Sequence, residues 1–160
     1  MQAPAMSGQR RLRWFTAVGT VVLVANADLG LAPTALAEPD TGYRAAVAAA
    51  RGASCEPLSY NPILEHAAEV ATRSTASYLN GTATSVPIAD PKPVLEDLGY
   101  GGGKSFLLSG AGDSDDKALK GALVQGYKTI PDCSLADFGM NFGFDPQSGW
   151  HLFSMVLAAP

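Results

Sequence analysis

The sequence predicts an α/β fold: a three-layer α/β/α sandwich around a small antiparallel sheet. Three observations carry that expectation. In the closing run "GWHLFSMVLA", Trp150, Leu152, Ser154 and Val156 fall on one face of a strand, and His151, Phe153, Met155 and Leu157 fall on the other. Both faces are mainly apolar, so both are expected to be covered. The preceding run "ADFGMNFGF" is a second apolar strand, joined to the last by the turn "DPQSG". Three or four segments with helical signals come earlier in the chain and supply the two outer layers.

The elements follow in order. "YRAAVAAARG" is Ala-rich and stops at Gly52, a helix with a glycine terminator. "ASCEPLSY" is a loop carrying Cys55. Asn61 caps a second helix, with Pro62 at its first position, where its missing N–H costs nothing. Leu64, Ala67, Ala68, Ala71, Thr75 and Tyr78 recur at helical spacing and set one stripe toward a core, until Asn80-Gly81 ends the helix. "GTATSVPIADPKP" is a loop, and "PVLEDLGY" a short helix closed by Gly99. A strand is expected over 104–109. "GDSDDKALKGALVQGY" is a third long helix, with Asp113 as its cap and an acidic start that suits the positive end of the helix dipole.

The 160 residues suit one domain, and the first 37 are expected to be absent from the mature protein. Arg10, Arg11 and Arg13 precede an apolar run that begins at Trp14, and Ala35 and Ala37 close the segment with small residues, the order of a secretory signal peptide. A spanning helix would need about 20 apolar residues, and Asp28 interrupts the run first. The expected organisation is a cleaved signal over 1–37 and a single domain over 38–160, secreted or held in the cell envelope. Removing the signal leaves 8 basic and 14 acidic groups, net −6. That balance disfavours nucleic acid and electrostatic binding to anionic lipid, and no membrane span remains after cleavage. The two cysteines, Cys55 and Cys133, both fall in the mature part. Outside the cell an even count indicates a disulfide. A thiol nucleophile or a redox pair is the competing possibility, with no CxxC spacing to favour it.

"YRAAVAAARGASCEPLSYNPILEHAAEVATRS" resembles the opening of the CAP superfamily, the cysteine-rich secretory and pathogenesis-related proteins. There a helix with an arginine leads through a short loop into a "Leu, small, Ala-Ala" helix. "VLEDLGY" is similar to the family's short helix ending in Gly-Tyr. "QGYKTIPDCSLADFGMNFGF" resembles the loop that enters the final hairpin, and "GWHLFSMVLA" the terminal strand. The likeness covers about residues 41–158 and implies the same three-layer sandwich. Many members carry a cleft in which two histidines and two acidic residues hold a divalent metal. Here Tyr127 stands at the Gly-His position, 82–85 has no histidine, and "GGGKSFLLSG" lacks the Glu-Asn pair. A phenol is a poor zinc or calcium ligand at neutral pH. The expectation is therefore a cleft with no metal and no cofactor.

Other candidate chemistry is thin. His66 and Glu69 sit three apart on one helix face without a third ligand nearby. His151 alternates with core residues and reads as a hydrogen-bonded histidine rather than a general base. "GYGGGKS" has three residues, not four, between Gly99 and Gly103-Lys104, and leaves a helix for a strand, the reverse of a phosphate loop. "DSDD" has Ala118 and Val124 where a calcium loop needs glycine and glutamate. Related proteins are often associated with lipids, sterols or other proteins. The expected function is thus a secreted, non-catalytic binding module for a lipid or small apolar ligand, with Tyr127, Tyr100 and Phe106 lining the cleft. The alternatives are a cell-envelope or host protein-interaction protein, and a hydrolase of unidentified mechanism.

Overall fold

The computed structural model describes residues 39–160; the expected signal segment lies outside the described residues. The element order is α1 (Pro39–Arg51), β1 (Ser59–Tyr60), α2 (Pro62–Leu79), α3 (Lys92–Asp97), β2 (Ser105–Gly112), α4 (Asp115–Gln125), β3 (Asp137–Asp145) and β4 (Trp150–Ala158). The sheet order is β1-β3-β4-β2. β4 is central and pairs antiparallel with β3 and β2.

The expected sandwich is present, with a mixed rather than purely antiparallel sheet. Ser59 and Tyr60 lie parallel to Asp137 and Phe138, inside a stretch whose sequence reads as loop. Two residues are too few to show a period of two, so this strand leaves no pattern to read.

Alternation along the strands divides the core. Leu108, Phe138, Met140, Phe153, Met155 and Leu157 face α1 and α4, where Val47, Ala118, Leu119 and Ala122 meet them. Val156 and Ala158 face α2 and α3, against Leu64, Ala67, Ala68 and Leu95. Two glycines set the layer spacing. A Cβ on Gly139 would fall 2.0 Å from the Glu65 amide nitrogen of α2, and one on Gly110 would fall 1.9 Å from the Ala118 carbonyl of α4.

The caps of α2 are as expected. Asn61 Oδ1 accepts from the Ile63 N–H at 2.9 Å, and Gly81 follows the helix at φ +66°. α4 begins later than expected. Ser114, not Asp113, is its cap, accepting from the Lys117 N–H, and Asp113 instead takes the Lys117 ammonium at 2.6 Å. β2 runs on to Gly112, beyond the expected end at 109.

Candidate ligand cavity

α1 turns out of its helix at Gly52, whose φ of +73° suits a residue without a Cβ. The chain then returns through Cys55 and Pro57 to β1. Between the last turns of α1, this return and the start of β3 lies a cavity of about 290 Å³. Val47, Leu58 and Phe138 supply apolar wall, Tyr60 an aromatic edge, and Arg44 and Arg51 the polar groups.

Arg51 builds the far side. It is 4 % exposed and reaches past the end of its helix. Nε donates to the Glu56 carbonyl at 3.0 Å, Nη1 to the carbonyls of Ile130 and Asp132 at 2.9 and 3.0 Å, and Nη2 to that of Leu135 at 2.7 Å. One side chain thereby ties the return loop to the segment before β3. A disulfide between Cys55 and Cys133 joins the same two segments. The Arg44 guanidinium lies 4.4 Å from the Tyr60 ring centroid and 5.7 Å from that of Phe138, within cation–π range. The Tyr60 hydroxyl donates to the Glu65 carboxylate.

Tyr100, Phe106 and Tyr127 are not brought together around this cavity. Tyr100 packs on the α2–α3 side, and its hydroxyl lies 2.9 Å from Asp137 Oδ2 and 3.0 Å from the Ala159 carbonyl oxygen. Burial first, then the hydrogen bond and charge of Asp137, push its phenol up to about 12. Phe106 shares the opposite face with Leu108, 37 % exposed, with the Lys104 ammonium 5.6 Å from its ring. Tyr127 follows α4 and is 66 % exposed, with the Lys128 ammonium 5.3 Å away.

The two histidines lie on opposite sides of the sheet. His66 on α2 pairs with Glu69 at 3.3 Å, both side chains partly exposed. His151 Nδ1 lies 2.8 Å from Asp115 Oδ1, joining β4 to the start of α4. Among the described residues no three His, Cys, Asp or Glu side chains converge. Each histidine is matched with one carboxylate, a donor set too small for the tetrahedral or octahedral shells of common divalent ions. The residues present therefore do not fit the metal that the family resemblance brings with it.

One similar solved structure is that of a cysteine-rich secretory protein from Staphylococcus aureus subsp. aureus Mu50, at 12 % identity and a TM-score of 0.56. The match covers 75 % of this chain and 38 % of that one, so this chain corresponds to well under half of that protein's length. No family model matches the chain, and neither does any curated protein. At this identity the likeness shows the fold alone: the described residues take a CAP-like fold.

Sequence reasoning placed the ligand site around Tyr127, Tyr100 and Phe106 and passed over the cavity beside α1. The available signal was Arg44, Val47, Ala48 and Arg51, spaced to share one helix face. The opposing wall, Leu58, Tyr60 and Phe138, comes from the residue before a two-residue strand, that strand and its parallel partner, which no local pattern connects.

Proposed function

We propose that the protein is an exported, non-catalytic binding module that takes a small apolar ligand in the cavity between α1, β1 and β3. The observation that carries this reading is a half-open pocket of about 290 Å³ walled by Val47, Leu58, Tyr60 and Phe138. Small-molecule sites combine such apolar walls with a few fixed polar groups, here the two guanidiniums. The intramolecular disulfide fits an extracellular location. No helix among the described residues is long and apolar enough to cross a membrane, which fits the part of the domain that would remain after a signal is removed. The test is a calorimetric or NMR titration with a panel of envelope lipids and short-chain amphiphiles. Saturable binding that shifts the Val47, Leu58 and Phe138 resonances supports the reading; a panel without any such ligand overturns it.

A second reading, a protein-interaction surface, is favoured by the aromatic side chains left exposed. Tyr127 is one, and Phe144 and Trp150 flank the β3–β4 turn at 59 and 47 % exposure. A single dominant partner captured by the wild type and lost in Trp150→Ala with Phe144→Ala would support this reading over the first.

A further inference from the structure

The four-stranded sheet has two edges, and the fold guards them unequally. β1 closes one edge with two residues. β2 forms the other, eight residues long and paired on one side only, to β4. An edge strand is normally blunted by a charge, a proline, a bulge or a cover. The β2 sequence "SFLLSGAG" has neither charge nor proline. Its register with β4 runs one to one from Ser105 opposite Ala158 to Gly112 opposite His151, so it has no bulge.

The antiparallel ladder decides which amides face out. The Ala159 N–H donates to the Lys104 carbonyl, which turns Lys104 and every second residue after it toward β4. The Ser109 N–H points the other way and donates to Gln125 Oε1 at 2.7 Å. Leu107 and Ala111 share that outward direction, and their N–H groups have no acceptor among the described residues. Gln125 thus does at one position what the carbonyls of a neighbouring strand do along a whole ladder.

The space beside this edge is shaped on both faces of the sheet. On one, α4 overhangs it: a Cβ on Gly121 would fall 3.4 Å from the Gly110 Cα and 3.9 Å from the Ala111 nitrogen. Lys117, Lys120 and Val124 share that flank of the helix with Gly121. On the other face an open hollow of about 240 Å³ lies over Ser109, Ala111 and Ser154, with Thr75 of α2 beside it. These small side chains leave room for those of an added strand. The charge here is also local. From 117 to 131 the chain has three lysines and no Asp or Glu, in a sequence with 15 acidic and 11 basic residues. Lys117 holds Asp113, but Lys120 and Lys128 form no ion pair among the described residues. Lys128 lies in the turn after α4, which Gly126 packs against Leu108 of β2.

We propose that the outer edge of β2 docks an extended acidic peptide segment of a partner protein, which adds a strand to the sheet. Main-chain bonds to Leu107 and Ala111 supply the pairing. Carboxylates on the α4 side meet Lys120 and Lys128, and apolar side chains on the other side enter the hollow by Thr75. Opposite charge at the rim steers such a partner and fixes its register. A second copy pairing through its own β2 would instead bring the same lysines against each other. This surface is separate from the cavity beside α1, and the inference stands or falls without it.

The experiment uses two peptides of eight residues, the length of β2, one alternating Val with Glu and the other Val with Lys. Each is titrated into the protein while amide hydrogen exchange is followed by NMR. The Val-Glu peptide is expected to protect the Leu107 and Ala111 amides, and the Val-Lys peptide is not. N-methylating the Val-Glu peptide at alternate positions separates a strand from a charge contact. One alternate set should abolish binding and the other leave it intact, because only one edge of the peptide faces β2. Lys120→Gln combined with Lys128→Gln should weaken binding roughly fivefold, the scale of two exposed ion pairs. Gln125→Ala, which releases the Ser109 N–H, should tighten it. Equal binding of the two peptides would overturn the acidic class of partner. Binding without protection at Leu107 and Ala111, or binding indifferent to both methylated sets, would overturn strand addition. Binding of neither peptide, or of phosphatidylglycerol vesicles alone, would overturn the docking site. So would a wild-type dimer in which these amides are already protected.

Discussion

Arg51 Nη2 donates to the carbonyl oxygen of Leu135 at 2.7 Å, across 84 positions of sequence. Both residues are buried. With its bonds to Ile130, Asp132 and Glu56, this guanidinium replaces the backbone partners that two irregular segments cannot give each other. A buried carbonyl must find a donor somewhere, and here one arginine serves four. Arg51→Met keeps much of the apolar volume and removes every donor. The carbonyls of Ile130 and Leu135, both within buried residues, then lose a partner at about 1–3 kcal/mol each. A urea midpoint corresponding to roughly 3 kcal/mol of lost stability is expected, with Arg51→Lys recovering only part of it. A loss under about 1 kcal/mol would mean that water replaces the guanidinium at these carbonyls.

The contact between α2 and β3 depends on a missing side chain. A Cβ on Gly139 would fall 2.0 Å from the Glu65 nitrogen and 2.3 Å from the Leu64 carbonyl carbon. Those are backbone atoms and have no rotamer to escape into. Gly139→Ala should push α2 off the sheet and destabilise by about 3 kcal/mol or more, the upper end of overpacking costs. Gly149→Ala is the contrast. Its Cβ meets open space and the only penalty is φ +72°, about 1 kcal/mol. Chemical denaturation of the two variants side by side checks the ordering, and equal losses would show that α2 can move without cost.

Much of the fold was legible because long elements carry period. The alternation of residues 150–157 forecast a strand buried on both faces, and all but Trp150 and His151 of those eight are buried. Asn61-Pro62 and Gly52 mark helix ends that the structure shares. Ser114 was missed as a cap because Asp113 and Ser114 are both good candidates, and only the backbone angles decide between them. The cavity was illegible for a different reason. Arg51 and Leu135, or Tyr60 and Phe138, meet through tertiary pairing at long separation, and no window along the chain contains both. The family likeness directed attention to Tyr127, which stands at its Gly-His position, whereas the half-open pocket described here lies beside α1.

The Cys55–Cys133 bridge closes a loop of 78 positions, and replacing both cysteines with serine should cost about 4 kcal/mol on the chain-entropy model. The same segments are tied by Arg51, so the two devices should not act independently. Combining the double serine variant with Arg51→Met is expected to depart from additivity by about 1 kcal/mol or more. Equilibrium denaturation of the four members of the cycle measures the coupling. Strict additivity would mean that bridge and guanidinium hold separate pieces of structure.

Tyr100 gives the fold an alkaline limit. Its phenol is pushed up to about 12 by burial and then by the adjacent Asp137 carboxylate, which accepts its hydrogen bond and would repel a phenolate. In the unfolded chain a tyrosine ionises near 10. A folded value above the unfolded one means that the neutral phenol stabilises the fold fully below about pH 10. That contribution is lost as pH rises from there through about 12. Tyr43 contributes in the same direction, raised by burial and then by Asp115 and Asp116, so Tyr100→Phe should reduce the alkaline loss without abolishing it. The difference between the wild-type and Tyr100→Phe phenolate absorbance titrations isolates one group, and its midpoint is expected near 12. A midpoint near the ordinary value of about 10 would mean that the Tyr100 hydroxyl is solvated and that Asp137 and the Ala159 carbonyl do not hold it in place.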